Sequence, residues 1–372
     1  MVESEIRYVF GNFKTTGTYL DGNPTGSGHI HKTLLVKTKE KDAPDYILQK
    51  INHNVFPPVR EMMDNIIRVT RHIREKRAGD SQVSVLEVIE TQSGDSFFTD
   101  QSGNHWRMYN KLEPGISYDI VPGNKVANEA GKAFGQFIGD LRDMPADEIY
   151  PVIPEFNSIE MRFEKFRKAI DANAAGRAGE VKKEIETAYR AIDAMLVIPR
   201  LEREGELPVR VTHNDTKLNN ILFDEKDRAV CVIDLDTVMP GLSLYDFGDT
   251  IRTAANTAEE DEADLNSIMF SIPVFRAYSD GFIEKTISFL THAELELLPL
   301  SARYMTFIMG LRFLTDYIMG DVYYSTVYSD QNLKRCRAQF RLMQLMEERH
   351  DECMDIVMHA ARMQGAQQGR KI

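Results

Sequence analysis

The sequence predicts an α+β protein of two lobes, a small β-rich N-terminal lobe with one helix and a larger, mainly helical C-terminal lobe. Three observations indicate this. The chain of 372 residues is too long for one ordinary core. Its first third alternates turn residues with short apolar runs, and helical spacing dominates after Gly115. We expect lobes at residues 1–112 and 113–372, with ligands bound in the cleft between them.

The N-terminal lobe is predicted to contain a small sheet. Three short strands fall between Thr18 and Ile51, and a glycine-containing turn occupies residues 21–29. Apolar residues then recur at helical spacing from Val59 to Lys76, directly after two prolines. Two further strands are predicted at Val83 to Glu90 and His105 to Asn110.

The C-terminal lobe is predicted to be helical apart from one β island. Helices are expected at Lys125 to Arg142, Ile159 to Ile170, Val181 to Val197 and over nearly all of the chain after Glu259. The β island runs from Val209 to Asp236 and contains most of the residues with recognisable chemistry.

Composition excludes several classes of function. A net charge of -12 and a pI near 5.3 argue against nucleic acid or an anionic membrane as the main partner, because both need a basic face. The three cysteines are scattered, so neither a disulfide framework nor a zinc site is indicated. No basic leader or apolar run is found at the N-terminus. We expect a cytoplasmic protein, a monomer or weak homodimer, acting on small molecules.

The β island contains the segment HNDTKLNN, in which His213, Asp215 and Asn220 form an H-x-D-x-x-x-x-N pattern. This spacing resembles the catalytic loop of protein kinases and aminoglycoside phosphotransferases. Phosphoryl transfer needs a carboxylate to accept the proton of the acceptor hydroxyl, and we assign that role to Asp215. Asn220 is predicted to bind Mg²⁺, and Lys217 to place positive charge on the transferring group. His213 completes the predicted catalytic set.

A second metal ligand is predicted across a hairpin. Residues 221–223 and 229–233 are expected to pair, which brings Asp234 back beside Asn220. Asp236 lies on the same side by strand alternation and is a less certain second ligand. An Asp246-Phe247-Gly248 tripeptide lies outside the hairpin, so Asp246 is predicted to hold the loop around His213, with a helix cap as the alternative.

The resemblance becomes more specific over longer phrases. HNDTKLNN, DLDTVMPGLSLYDFGD, GLRFLTDYIMGDVYY, GSGHIHKT and YILQKIN resemble N-acetylhexosamine 1-kinases, within the superfamily of aminoglycoside and choline phosphotransferases. The resemblance implies a protein-kinase-like fold and ATP- and Mg²⁺-dependent phosphorylation of the anomeric hydroxyl of N-acetylglucosamine or N-acetylgalactosamine. Asn214 stands where many aminoglycoside phosphotransferases have glycine, which favours the sugar over the aminoglycoside.

The nucleotide is expected against the N-terminal lobe. Gly26 and Gly28 lie in a turn whose backbone amides could approach phosphates, although an ordinary hairpin turn explains them as well. Lys50 ends the third strand, where kinase-like folds keep the lysine that contacts the α- and β-phosphates. Glu61 is a possible partner for Lys50. The segment from Tyr109 to Leu112 is predicted to be the hinge that meets adenine.

The acceptor is expected against the helical lobe. Arg312 and Tyr323 lie in a family-like phrase and are the predicted sugar contacts, with Asn157 and Arg252 as lesser ones. An ion pair between Arg312 and Asp316 and a core position for Tyr323 are the structural alternatives. Two other functions stay open. One is a kinase of a cationic acceptor such as an aminoglycoside or choline, which Arg312 would repel. The other is a non-catalytic nucleotide-binding regulator.

Overall fold

The computed structural model describes residues 2–26, 30–79, 84–367 and 369. Its N-terminal part contains five antiparallel strands: β1 (Tyr19–Pro24), β2 (Lys32–Thr38), β3 (Tyr46–Ile51), β4 (Phe98–Thr99) and β5 (His105–Asn110). They form one sheet in the order β1-β2-β3-β5-β4. The sheet therefore places β3 and β5 side by side, with Gln49 opposite Arg107 and Lys50 opposite Trp106.

The two faces of this sheet pack against different helices. Successive strand residues point to opposite faces. On one face, Leu48 and Trp106 share a core with helix α1 (Glu3–Phe10). On the other face, Ile51 and Tyr109 share a core with helix α2 (Val59–Lys76). This second face also lies toward the C-terminal part, because its core includes Leu235 and Val238.

The C-terminal part is mainly helical. Its helices are α3 (Asn124–Leu141), α4 (Ile159–Ala172), α5 (Lys182–Met195), α6 (Val197–Arg203), α7 (Ser243–Ala254), α8 (Ile272–Thr286), α9 (His292–Met319), α10 (Gln331–Glu348) and α11 (His350–Gln367). One large apolar core joins them. None of the helices in the described ranges is long and apolar enough to cross a membrane.

Two small antiparallel strand pairs interrupt the helices. Strands β6 (Arg210–Thr212) and β9 (Met239–Gly241) form one pair, and β7 (Ile221–Phe223) and β8 (Ala229–Val232) form the other. A 3-10 turn at Leu218–Asn220 precedes β7, and another at Leu235–Thr237 follows β8. The predicted motif residues lie in and between these short elements.

The predicted α+β class and most predicted elements are confirmed. Helix α2 has the predicted limits, and the hairpin of β7 and β8 forms as expected. The strand predicted at Val83 to Glu90 is wrong over residues 84–90, where only an isolated bridge from Val88 to Tyr109 occurs, and Val83 lies outside the described residues. The edge position beside β5 is taken instead by β4, and α1 was not predicted.

Helices α3 and α8 approach each other closely through glycines. A Cβ atom on Gly131 of α3 would overlap the carbonyl oxygen of Tyr278, and one on Gly281 of α8 would overlap that of Asn128. Gly139 lies about two turns further along α3. A Cβ atom there would have only ordinary contact, at 3.4 Å from the Phe289 ring. Helices α3 and α8 can therefore pack this closely only because glycine has no side chain at positions 131 and 281.

We therefore expect Gly131→Ala to lower stability by about 1–3 kcal/mol, because the added methyl overpacks a backbone contact. Gly139→Ala is the matched control in the same helix and is expected to stabilise by up to about 1 kcal/mol through helix propensity. The measurement is the midpoint of urea unfolding of both variants. Equal midpoints for the two variants would contradict the described crossing.

Candidate active site

The loop from His213 to Asn220 is held by the carboxylate of Asp246. Its two oxygens accept the backbone N–H groups of His213 at 2.9 Å and Asn214 at 2.7 Å. The Thr216 hydroxyl donates to the Asp246 carbonyl at 2.5 Å. Asp246 is fully buried, and this burial raises its pKa to about 6. The predicted role of Asp246 in holding the loop is confirmed.

His213 lies inside the protein and does not face the cleft. It is fully buried between the rings of Phe134 and Phe137. Its Nδ1 accepts the backbone N–H of Asp215 at 3.3 Å, so Nε2 carries the proton and donates to the Ile233 carbonyl at 2.9 Å. The geometry gives His213 a positioning part, since it links the loop to the end of β8.

Asn214 is also a structural residue. It has a left-handed backbone, with φ of 65°, and its buried side chain donates to the carbonyls of Thr212, Thr237 and Met239. Its side-chain oxygen accepts from Asn157 at 3.4 Å. Asn214, which replaces the glycine of many aminoglycoside phosphotransferases, therefore stabilises the loop through buried hydrogen bonds.

Asp215 and Lys217 form an ion pair in the cleft, with Nζ 2.9 Å from Oδ1. Burial alone would raise the pKa of Asp215, but the charge and the hydrogen bond of Lys217 outweigh it, and the pKa is lowered. The pKa of Lys217 is raised to about 12, chiefly by Asp215. Asp215 is therefore ionised at neutral pH and keeps a partly exposed carboxylate.

Asn220 and Asp234 are brought together by the hairpin. The Asn220 side-chain nitrogen donates to the backbone carbonyl of Asp215 at 2.8 Å. The backbone carbonyl of Asn220 accepts from the Ile233 N–H at 2.9 Å. Asp234 follows directly, with φ of 60° and ψ of 57°. This left-handed turn aims the residue out of the strand direction. The sequence prediction that the hairpin would return residue 234 to residue 220 matches this geometry.

The negative charge of Asp234 is not paired with a cation among the described residues. The pKa of Asp234 is raised to about 7. Desolvation by the surrounding protein is the largest cause, followed by the negative charges of Asp236 and Asp215. No described residue donates a hydrogen bond to this carboxylate or to Asn220 Oδ1. Both are oxygen ligands of the type Mg²⁺ prefers. The described residues contain no cluster of three or more His, Cys, Asp or Glu side chains suited to a metal, so a magnesium site here would use Asn220 and Asp234 with non-protein oxygens.

Asp236 has no free oxygen for a metal ion, because both of its carboxylate oxygens already accept hydrogen bonds. Arg107 donates to both, with Nη2 2.8 Å from Oδ2, and His31 Nε2 lies 2.5 Å from Oδ2. Burial would raise the pKa of Asp236, but Arg107 and His31 hold it well below its usual range. Of the two carboxylates weighed from the sequence, only Asp234 has free oxygens.

The sheet register does not bring Lys50 to the cleft. Lys50 lies on the face of Trp106, with Nζ 5.6 Å from that ring centroid, whereas Gln49 and Arg107 lie on the face toward Asp236. Within the described ranges no ion pair joins Lys50 and Glu61. The lysine at the strand end is thus one residue out of phase with the cleft-facing position.

The remaining nucleotide-side residues are placed as follows. Gly26 has φ of 80° and open space where a Cβ would stand, while Gly28 lies outside the described residues. Tyr109 is buried at the end of β5 and contacts Arg107, whose guanidinium lies 5.3 Å from the ring centroid. Leu112 is partly buried just beyond, against the core that contains α2.

The acceptor-side residues form two groups. Arg252 is buried in an ion pair with Asp249, and this group acts electrostatically on Asp215. Arg312 lies among aromatic rings, with Cζ 5.9 Å from the Tyr323 ring centroid. Asp316 accepts the backbone amides of residues 322–324 and pairs with no arginine among the described residues. Tyr323 is 68% exposed, so neither structural alternative for these two residues is found.

Sequence reasoning missed several residues around this cleft, namely His31, Gln49, Arg107 and Arg162. Arg162 is partly buried beside Arg312, and its Nε has no hydrogen-bond partner in the described part of the chain. The alternation of β3 offered a signal for Gln49. Nothing in the local sequence pointed to Arg107, whose partner lies 129 residues away.

Comparison with known proteins decides the family. Residues 21–273 match the family described as the phosphotransferase enzyme family, APH. The chain belongs to this family. The match spans β1 to the start of α8, so it covers the sheet, the catalytic loop and the hairpin of this phosphotransferase.

Solved structures extend the likeness to nearly the whole phosphotransferase chain. A microcompartment-associated aminopropanol kinase matches at a TM-score of 0.64 and 16% identity, covering 94% of this chain and 98% of its own. A spectinomycin phosphotransferase in complex with ADP and spectinomycin matches at 0.55 and 11%, covering 97% and 98%. A Plasmodium vivax ethanolamine kinase matches at 0.53 and 14%, covering 87% and 83%. At these identities the likeness establishes the fold.

The different faces of Lys50 and Gln49 give a direct test. Lys50→Met is expected to change kcat/KM for ATP by less than about threefold. The substitution removes only the weak cation–π contact between Lys50 and the Trp106 ring. Gln49→Ala removes a hydrogen bond to a buried guanidinium and is expected to lower kcat/KM about 10-fold. Initial rates at varied ATP measure both. A larger loss in Lys50→Met than in Gln49→Ala would restore the sequence assignment.

Proposed function

We propose that this phosphotransferase transfers the γ-phosphoryl group of ATP to the anomeric C1 hydroxyl of an N-acetylhexosamine. The observation that carries the proposal is the convergence of Asp215, Asn220 and Asp234 at the open end of the hairpin. One ionised carboxylate, one amide oxygen and one uncompensated carboxylate are the groups that phosphoryl transfer from ATP requires. The family, together with the phosphotransferases that share this fold, supports the reaction class.

Asp215 is proposed as the base. Its carboxylate is ionised, partly exposed, and oriented by Lys217 and by the Asn220 side-chain nitrogen, which lies 3.4 Å from Oδ2. A carboxylate so placed orients the acceptor hydroxyl and takes its proton as the bond to phosphorus forms. Lys217 keeps its charge and can stabilise the charge that develops on the transferring group.

Asn220 and Asp234 are proposed to hold Mg²⁺. When bound, Mg²⁺ neutralises charge on the phosphate oxygens of the nucleotide. The nucleotide would lie between the N-terminal lobe, residues 1–112, and the C-terminal lobe, with adenine at the segment from Tyr109 to Leu112. Transfer is proposed to be direct and in line, because the motif contains no nucleophilic Cys or Ser and the three cysteines are buried.

A pair of guanidinium groups supports an uncharged, oxygen-rich acceptor. Burial and the neighbouring Arg312 lower the pKa of Arg162 to about 10. No carboxylate forms an ion pair with either arginine within the described ranges. The Tyr324 hydroxyl beside them is buried without a hydrogen-bond partner. Unused donors of this kind match the hydroxyl and carbonyl oxygens of an N-acetylated sugar.

The same segment joins this pocket to the catalytic loop. Phe156 has its ring 6.0 Å from Arg312 Cζ, and its carbonyl accepts from Arg162 Nη2 at 2.9 Å. The next residue, Asn157, contacts Asn214 beside the base. We propose that an acceptor held by the two arginines extends toward Asp215.

A cationic acceptor is the second candidate, favoured by the likeness of the fold to aminopropanol and ethanolamine kinases. Such an acceptor needs free carboxylates. In the acidic segment at residues 259–264, Glu260 pairs with Arg335 and Asp261 accepts from Tyr328 and Gln331, so these two carboxylates are not free. The unpaired arginines would repel a protonated amine.

Asp215→Asn is expected to lower kcat by about 100-fold or more, because general-base contributions are typically of this size. ADP affinity, measured by calorimetry, is expected to change little. Glu225→Gln, an exposed acid in the hairpin turn, is the control and should keep full turnover. Wild-type turnover by Asp215→Asn would overturn the assignment of the base.

The acceptor is tested by ADP release under Mg-ATP with N-acetylglucosamine, N-acetylgalactosamine, choline, homoserine and kanamycin. Turnover of the two sugars is expected. Arg312→Gln should raise KM for the sugar about 10- to 100-fold through lost charged hydrogen bonds, with the exposed Arg190→Gln as control. Activity on choline or kanamycin alone would reject the sugar proposal and leave the family assignment intact.

A further inference from the structure

A buried ion pair joins the N-terminal sheet to the turn that follows Asp234. Both oxygens of Asp236 accept from the guanidinium of Arg107 on β5. The two side chains are 1% and 3% exposed. A two-point contact between a planar guanidinium and a carboxylate fixes direction as well as distance. The two parts of the chain are therefore joined by an oriented contact.

Two further residues of the sheet complete this contact. Gln49 on β3 accepts from Arg107 Nε at 2.9 Å, which holds the guanidinium from the other side. His31 Nδ1 accepts the backbone N–H of Asn52 at 3.0 Å, so its Nε2 carries the proton that is donated to Asp236. We call Arg107, Gln49, His31 and Asp236 the inter-lobe cluster.

The cluster acts on Asp234 through a very short segment. Asp236 lies in the 3-10 turn Leu235–Thr237, which begins directly after Asp234. On the other side, Ile233 is held by its backbone hydrogen bond to Asn220. With residues 233 and 236 both fixed, the left-handed Asp234 has little freedom of its own. The direction of its carboxylate thus depends on the N-terminal sheet.

Arg107 is too deeply buried to contact a nucleotide itself. It is fully enclosed, and every described hydrogen bond of its guanidinium goes to Gln49 or Asp236. The cleft-facing position of β3 holds an amide, since Lys50 lies on the opposite face. The positive charge at this junction of sheet and hairpin is therefore supplied by β5.

We propose that Arg107 is a positioning residue that couples the placement of the N-terminal sheet to the direction of Asp234, acting through Asp236. Closure of the sheet over a nucleotide and readiness of Asp234 to bind a cation would then occur together. This inference rests on the proposed function, which it extends by giving Arg107, Gln49 and His31 a part in cation-dependent nucleotide binding.

The test compares ADP binding with and without Mg²⁺ by calorimetry, a measurement that needs neither acceptor nor turnover. Arg107→Lys keeps the charge but loses the two-point geometry. We expect its metal-free ADP affinity to stay near the wild-type value. The gain in ADP affinity on adding Mg²⁺ should shrink about 10- to 100-fold, the usual cost of disturbing a residue behind a metal ligand. Lys37→Met, an exposed cation on β2, is the control and should behave as wild type.

A double variant separates positioning from stability. Removing one partner of a buried ion pair leaves an uncompensated charge, whereas Arg107→Gln with Asp236→Asn leaves a neutral pair. We expect this double variant to melt close to the wild-type temperature while its response to Mg²⁺ stays weak. Full recovery of the Mg²⁺ response together with the melting temperature would show a purely structural pair and overturn the inference.

The outcomes also separate this inference from the proposed function. Absence of ADP binding by the unmodified protein would contradict both. Normal ADP binding, with an undiminished Mg²⁺ response in Arg107→Lys, would contradict the positioning role alone. Loss of the response in Arg107→Lys supports the role whichever acceptor the enzyme uses.

Discussion

Mutual repulsion among the carboxylates of Asp215, Asp234 and Asp236 is the constraint around which the cleft is organised. Two of the three carboxylates have a cationic or hydrogen-bonding partner and the third has none. Asp215 has Lys217, Asp236 has Arg107 with His31, and Asp234 has no partner among the described residues. The pKa values follow this division, because the first two are lowered and that of Asp234 is raised to about 7. The arrangement therefore leaves one position in the cleft where a cation would be stabilising.

A layer of satisfied polar groups lies beneath these charges. Asp246 receives two consecutive backbone amides, the Thr237 hydroxyl donates to the His213 carbonyl at 2.7 Å, and Asn214 donates to three carbonyls. Buried polar groups that are all paired hold one conformation, whereas a partly paired set would cost free energy. The sharp loop that presents Asp215 is thus held by its supports, and the left-handed Asn214 within it is a cost that these contacts offset.

Much of this cleft could be predicted from the sequence because its parts are close in the chain. Asp215, Asn220 and the hairpin to Asp234 lie within about twenty residues, so spacing and strand signals are sufficient to bring them together. The assignment of Lys50 to the phosphates stays a prediction, because it depends on which face of the strand the side chain occupies. A lysine at a strand end resembles a phosphate contact, yet strand alternation reverses the face with every residue, and Gln49 occupies the inward position.

Arg107 could not be predicted for a different reason. Its partner is 129 residues away, and a charged residue in a short strand reads locally as an exposed position. Only the folded pairing of β5 with β3 and the hairpin turn reveals it as buried. The strand expected at Val83 to Glu90 failed similarly over residues 84–90, since Val85, Leu86 and Val88 pack against the core of α2 and only the isolated bridge of Val88 forms. Long-range contacts decided both outcomes.

Charge at the acceptor end shows why overall composition says little about the substrate. The chain has a net charge of -12, which would suit a cationic acceptor. At the proposed acceptor site the local charge is the opposite, because Arg162 lies close enough to Arg312 for its pKa to be lowered. Of the acids in the described segment 259–264, Glu260 pairs with Arg335 and Asp261 accepts from Tyr328. Electrostatic interactions weaken over about 10 Å at ordinary ionic strength, so the acceptor responds to these two guanidinium groups far more than to acids on distant surfaces. Under the proposed function, selection of the acceptor therefore depends on the local donors of Arg162 and Arg312 and not on the net charge of the chain.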